Sequence, residues 1–193
     1  MRPKPIEAPR RHPLPRTSPV TDDSLTAVPQ LAAALDALGF TDDPEMEATA
    51  ERMVEFLREF RAQPVPTTTP LSTRSDNPVV IRDLQYHSLC AHHLLPFFGT
   101  CTIAYRPAGA IAGLGWFPRL VESLARRPQL QERLVEQIAD AVFESLHPHS
   151  VAVYMNARQM CVEMRGAKAR GVFEVTATAG VPDADLAALV RSR

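Results

Sequence analysis

No run of about 18 apolar residues occurs in this chain of 193, so nothing in it reads as a membrane-spanning helix. Neither charge sign dominates: 21 lysines and arginines face 22 aspartates and glutamates, a net charge of -1. That balance excludes a general binder of nucleic acid or of an anionic membrane, which needs a basic face. Cysteines number three, an odd count that excludes a disulfide framework and points to free thiols in a reducing cytoplasm. The first 20 residues lack the apolar stretch of a secretion signal. Aromatics are scarce at 6%, and the chain shows neither a GxGxxG nor a Walker motif, nor an internal repeat.

Proline is abundant instead, with 18 residues, six of them within 1–20. That stretch also carries Arg2, Lys4, Arg10, Arg11 and Arg16 against Glu7 alone, the composition of a disordered, basic tail. Residues 21–193 are expected to form one domain, with a net charge of -5. Any anion site in that body must be built locally.

The remaining pattern predicts an α+β fold. A short helix covers 25–39 and ends at Gly39. Asp43 and Pro44 start a second helix, with Met46, Ala50, Met53, Leu57 and Phe60 on one face, running to about 61. A polar, proline-rich loop spans 63–77. Strands are expected at 79–88 and 100–106, then a helix from Pro118 to Arg126 and another over 129–146, with Leu130, Leu134, Ile138, Val142 and Leu146 on one stripe. Strand patterns follow at 150–156, 159–165 and 171–178, and Asp183 caps a last short helix. Strands grouped on either side of a helix pair point to an antiparallel sheet rather than a βαβ repeat.

Metal-capable side chains concentrate in Cys90-Ala91-His92-His93. Cys90 and His93 have the CxxH spacing that puts two ligands on one turn, and Cys161, on a later strand, is available as a third. Three protein ligands leave a fourth position open, the catalytic arrangement of zinc rather than the structural one. The same residues also read as buried thiols with surface imidazoles. Cys101 alternates with Thr100 and Thr102 and is expected to face the core. His12, His147 and His149 are expected at the surface, and His87 reads either way.

Three segments together resemble GTP cyclohydrolase I: SLCAHHLLPFFG with the following IAYRP, then LARRPQLQERLVEQIADAV, then QMCVEMRG. The similarity runs over about 43–178 in consistent order. The resemblance implies the tunnelling fold, an antiparallel sheet with a helix pair on one face behind N-terminal helices. It also implies a toroidal homo-oligomer, typically a decamer, with active sites between subunits. It makes Cys90, His93 and Cys161 zinc ligands and His92 an acid/base. Gln131 and Glu132 would recognise guanine, and Arg119 and Arg165 would hold a triphosphate. The implied reaction is hydrolytic opening of the guanine imidazole ring at C8, followed in the full reaction by formate release and reclosure to a pterin.

The departures from the family pattern fall on the chemistry. Where the family's second metal segment reads His-x-Cys, this chain has Gln159-Met160-Cys161, and glutamine does not titrate near neutral pH. Where the family has Ser-Lys, this chain has Gly115-Trp116, an indole suited to stacking in place of a phosphate-binding cation. Cys-Glu-His-His has become Cys90-Ala91-His92-His93. These changes point to an altered or truncated reaction on a guanine nucleotide, nucleoside or base, ending at a formamidopyrimidine or a diaminopyrimidine. The alternatives are an ordinary GTP cyclohydrolase I and a non-catalytic purine-binding homologue.

Overall fold

The computed structural model describes residues 24–192; the expected tail over 1–20, with His12, lies outside them. Two helices, Ser24–Ala37 (α1) and Thr49–Glu59 (α2), precede the sheet. Asp43 caps as expected, its Oδ1 accepting the N–H of Glu45 at 3.0 Å, but what it caps is a 3-10 turn over Pro44–Met46. Ala48 then leaves helical geometry at φ -108°, ψ 22°, so the single helix expected from residue 43 is split in two.

The sheet is formed by Val79–Cys90 (β2), Pro96–Arg106 (β3), Pro128–Gln129 (β5), Ser150–Gln159 (β6) and Phe173–Gly180 (β7), in the order β5-β2-β3-β6-β7. All neighbours are antiparallel except β5, which runs parallel to the end of β2. The short strands Leu71–Ser72 (β1) and Ala110–Ile111 (β4) pair separately and give the expected loop an anchor. Trp116–Ala125 (α3) and Gln131–Leu146 (α4) complete the helix pair between the two strand groups, and Ala184–Leu189 (α6) closes the chain. Asp183 caps α6, Oδ1 accepting from the N–H groups of Asp185 and Leu186 at 3.1 Å each. The α+β class, the strand-pair and helix-pair order and the antiparallel sheet are thus all present.

Both helices bury apolar stripes against one sheet face. Leu134, Ile138, Val142 and Leu146 of α4 are buried, as their spacing predicts, against Ile103, Val151, Val153 and Met155. Fully burying each such side chain is worth about 1.5–3 kcal/mol, so this stripe is what holds α4 to the sheet. Cys101 is in this core with no exposure, and burial pushes its thiol far above the usual range. His147 and His149 are exposed as expected. The opposite face is covered near one end by α6, through Leu186 and Val190 on Ala104 and Ala152.

One predicted strand does not exist. Residues 160–163, read as the start of a strand over 159–165, form a single helical turn, Met160–Glu163 (α5). The last pair of the β3–β6 ladder is Phe97 with Gln159. Met160 would fall opposite Pro96, which has no N–H to offer, so the ladder stops and the backbone turns.

The β3–β6 approach is tightest at Gly99. A Cβ there would lie 2.0 Å from the Asn156 carbonyl oxygen and 2.9 Å from Ala157 Cα, all backbone atoms that cannot swing aside. Gly99→Ala is expected to destabilise the fold by about 3 kcal/mol, a fall in Tm of about 6 °C or more in calorimetry. An unchanged Tm would show that the strands part freely.

Candidate metal centre and the cleft beside it

Cys90 ends β2, and the turn after it wraps around its carbonyl. The N–H groups of His93 and Leu94 donate to Cys90 O at 3.3 and 2.8 Å, and the Cys90 N–H donates to Leu95 O at 2.8 Å. Ala91 N–H donates to Gln129 O at 3.0 Å, which pins the turn to β5. This is the local geometry that CxxH spacing calls for: both side chains leave the same side of one turn. Cys161 arrives from the other direction, in α5 at the end of β6.

The sulfurs of Cys90 and Cys161 and a ring nitrogen of His93 all lie within 4.8 Å of one another. Cys90 Sγ is 3.7 Å from His93 Nδ1. Two ligands at zinc-like bond lengths and a tetrahedral angle stand about 3.6 Å apart, so the donor set fits a metal ion. Two thiols and an imidazole suit a borderline-soft divalent ion, and three ligands leave a position for a reactant. Burial, reinforced by the Cys90 thiol, holds the Cys161 thiol above its usual range, while Arg165 pulls the other way. A bound cation would reverse that balance by favouring both thiolates.

His93 Nε2 meets Arg165 Nη1 at 2.7 Å. A guanidinium has donors only, so Nε2 is the acceptor in this contact. Metal ligation through either nitrogen ends it: a metal on Nδ1 leaves the proton on Nε2, and a metal on Nε2 takes the lone pair. A bound metal would therefore free Arg165 from this contact.

A cleft of ≈ 340 Å³ opens beside the triad, lined among others by Cys90, His92, Phe97, Gln131, Glu132, Gln159, Cys161 and Phe173. His92 is exposed, its Nδ1 4.0 Å from Cys90 Sγ. Gln159 belongs to a chain of amides. Gln131 Nε2 donates to the carbonyls of Phe173 at 2.9 Å and Met155 at 3.3 Å; Gln131 Oε1 accepts from Gln159 Nε2 at 2.9 Å. The sequence of donors and acceptors fixes both amides and leaves Gln159 Oε1 turned to Cys161 Sγ, 4.0 Å away. Gln131 is 4% exposed with both amide ends engaged, whereas Glu132, one residue on, is exposed in the first turn of α4.

Three predicted site residues, Trp116, Gly115 and Arg119, lie at neither the triad nor this cleft within the chain. Trp116 is 2% exposed, and its indole N–H donates to Pro66 O at 2.8 Å. A ring packed on Phe117 in the core offers no face for stacking, so its expected role against a ligand is corrected to a core role. Gly115 precedes it at the start of α3, with open space around it. Arg119 is exposed and lines a separate charged groove with Glu59, Glu122 and Arg126. Conversely, sequence reasoning missed Gln129 and Phe173 in the cleft wall. The Gln-x-Gln alternation at 129 and 131, leading into α4, is the available signal for the first.

Replacing one thiol should empty the centre: Cys161→Ala and Cys90→Ala should each lower metal content from near one ion per chain to near zero, measured by elemental analysis after dialysis. Retained stoichiometric metal in Cys161→Ala would exclude that ligand.

The sequence matches the GTP cyclohydrolase I family over residues 29–188. It is 40% identical over 164 residues to GTP cyclohydrolase 1 of Geobacillus kaustophilus, covering 75% of this chain and 86% of that one. It is 37% identical over 140 residues to GTP cyclohydrolase 1 of Methylococcus capsulatus, covering 72% of this chain and 76% of that one. Among solved structures it is similar to archaeosine synthase QueF-Like in the apo form, at TM-score 0.48 and 23% identity over 56% of this chain and all of that one. A match spanning most of the chain, with two relatives at such identities, establishes that this protein belongs to the GTP cyclohydrolase I family.

Proposed function

We propose that the chain is a zinc-dependent hydrolase that opens the imidazole ring of a guanine compound at C8 and stops short of a pterin. The product would be a formamidopyrimidine or, after loss of formate, a diaminopyrimidine. The observation that carries the truncated reading is Gln159, an amide beside Cys161 in the cleft wall where the family pattern has a histidine.

Cys90, His93 and Cys161 would hold the ion. A zinc ion bound there would supply Lewis acidity that lowers the pKa of a bound water to about 7. His92, exposed at the cleft, would carry a proton to or from the ring nitrogen as the ring opens to a formamide. Glu132 would accept from guanine N1–H and the 2-amino group together. This falls to Glu132 because the Gln131 amide is already bonded at both ends. Gln159 can orient a donor with its carbonyl but cannot exchange a proton at neutral pH. A later step that needs an acid/base at that position loses a factor of about 10²–10⁴.

The substrate would carry fewer phosphates than GTP. The family's lysine position holds Trp116, which is buried, and Arg119 lies in another groove, leaving Arg165 as the basic group at the metal. A homo-oligomer, with the family's decamer as the expected size, is supported by β7. Among the described residues it pairs with β6 alone, leaving one edge open, and its Phe173 and Glu174 line the cleft that a second copy would complete.

Retention of the triad, His92 and Glu132 is what favours the second reading, an ordinary GTP cyclohydrolase I. Zinc-loaded protein incubated separately with GTP, GMP, guanosine and guanine, followed by mass spectrometry and formate assay, separates the two. The truncated reaction gives a ring-opened pyrimidine and no pterin. Dihydroneopterin triphosphate formed at a robust rate from GTP would refute it, and no turnover of any of the four would leave a purine-binding homologue. In the same assay Gln159→His should raise formate release about 10²-fold or more.

A further inference from the structure

We infer that Arg158 and Glu163 are positioning residues for Cys161, a clasp that holds one helical turn, and with it the second thiol of the candidate metal site, against the end of β6. The need for a clasp follows from length. Isolated helices shorter than about 12–15 residues are marginal in water, and α5 has four residues. Gln159, at its N-cap, makes no side-chain bond to the open N–H groups of the turn. A thiol on so short an element has no intrinsic reason to stay at ligand distance from Cys90 and His93.

The clasp closes over that turn at two points. Arg158 Nε donates to Glu163 Oε1 at 2.9 Å, and Arg158 Nη2 donates to Glu163 Oε2. This is the bidentate fork that a planar guanidinium and a carboxylate make, which fixes direction as well as distance. Arg158 is the penultimate residue of β6 and Glu163 the last of α5, so the pair spans the whole turn with Cys161 inside it. The Glu163 side chain is 11% exposed. Its carboxyl lies below the usual range because Arg158 bonds it, and Arg158 is raised in turn.

Arg158 is itself held. Its guanidinium carbon stands 5.7 Å from the centroid of Phe98, its register partner on β3. Phe98 stacks on His87, its register partner on β2, with centroids 5.9 Å apart and planes 27° from parallel. Three adjacent strands thus present one aromatic-cationic row, and Glu163 docks on its end. Strand alternation puts Arg158 on the face opposite Gln159, and neither Arg158 nor Glu163 lines the cleft. Their influence on the centre passes through the position of Cys161.

The inference rests on the metal reading, and the experiment separates the two. Zinc affinity of the full chain is measured by chelator competition, and cobalt(II) replaces zinc so that its charge-transfer absorbance counts bound thiolates. If the wild-type protein takes up neither ion, the metal reading fails and this inference with it. Where the wild type binds, Glu163→Ala and Arg158→Met should each weaken zinc binding by about 10–100-fold, the usual effect of removing a residue that orients a ligand. The cobalt–thiolate band should shrink in both, while far-UV circular dichroism stays as in the wild type. Arg158→Glu combined with Glu163→Arg should recover affinity and band. Unchanged affinity in Glu163→Ala overturns the inference, and so does weakened affinity with a two-thiolate band intact. Should Glu163→Ala fail to fold, Glu163→Gln, which keeps the shape and loses the charge, is read by the same two measurements.

Discussion

The antiparallel ladder between β3 and β6 runs from Arg106 with Ser150 to Phe97 with Gln159, and its end point sets where Cys161 meets Cys90 and His93. Because Pro96 cannot continue the pairing, the chain leaves the sheet at residue 160 and turns back at once. The same proline follows the turn that carries Cys90 and His93, since β3 begins where that turn ends. One residue without an N–H therefore stands between two segments far apart in sequence and leaves both able to present metal-capable side chains to a common point. The register does the rest. Its close approach at Gly99 and the bond from the Tyr86 hydroxyl to Asn156 O, at 3.1 Å, keep the strands from sliding.

Much of this was legible in the residues. The 3.6-residue stripe on α4 specified which side chains are buried, because a helix on a sheet buries whatever lies on one face. CxxH at 90–93 needed only a tight turn to bring the two side chains together, and the turn is there. Asp183 had the side chain and position of a helix cap and acts as one. The alternation at 159–165 misled for a physical reason: an apolar-polar alternation of four or five residues fits a strand and a single helical turn equally, and the choice between them was made by a proline on another strand. Trp116 was misread because a substitution at a family's functional position invites a functional meaning. Its indole instead found a carbonyl in the 63–77 loop, a partner far away in sequence. The state of Gln131 was out of reach of any local pattern, since its partners come from β6 and β7.

The amide chain from Phe173 through Gln131 to Gln159 gives the cleft a fixed polarity. Each donor in it is matched to an acceptor, so neither glutamine can flip without leaving a buried polar group unsatisfied, a loss of about 1–3 kcal/mol. A histidine at 159 would bring two ring nitrogens and a titrating proton to the same place. Glutamine brings rigidity and constant charge. His92 remains the exposed imidazole at the cleft, and Arg165 the cation bonded to His93.

The alternation of β6 has a consequence for what a substitution at its end can reach. Residues 158 and 159 are adjacent in the gene but face opposite sides of the sheet, one toward the clasp and one toward the cleft. A change at 159 would reach the cleft while Arg158, one residue earlier, keeps its bond to Glu163 on the other face. On the proposed reading, a substitution at 159 would alter the cleft without disturbing the metal-binding thiol, because the two positions are served by opposite faces of one strand.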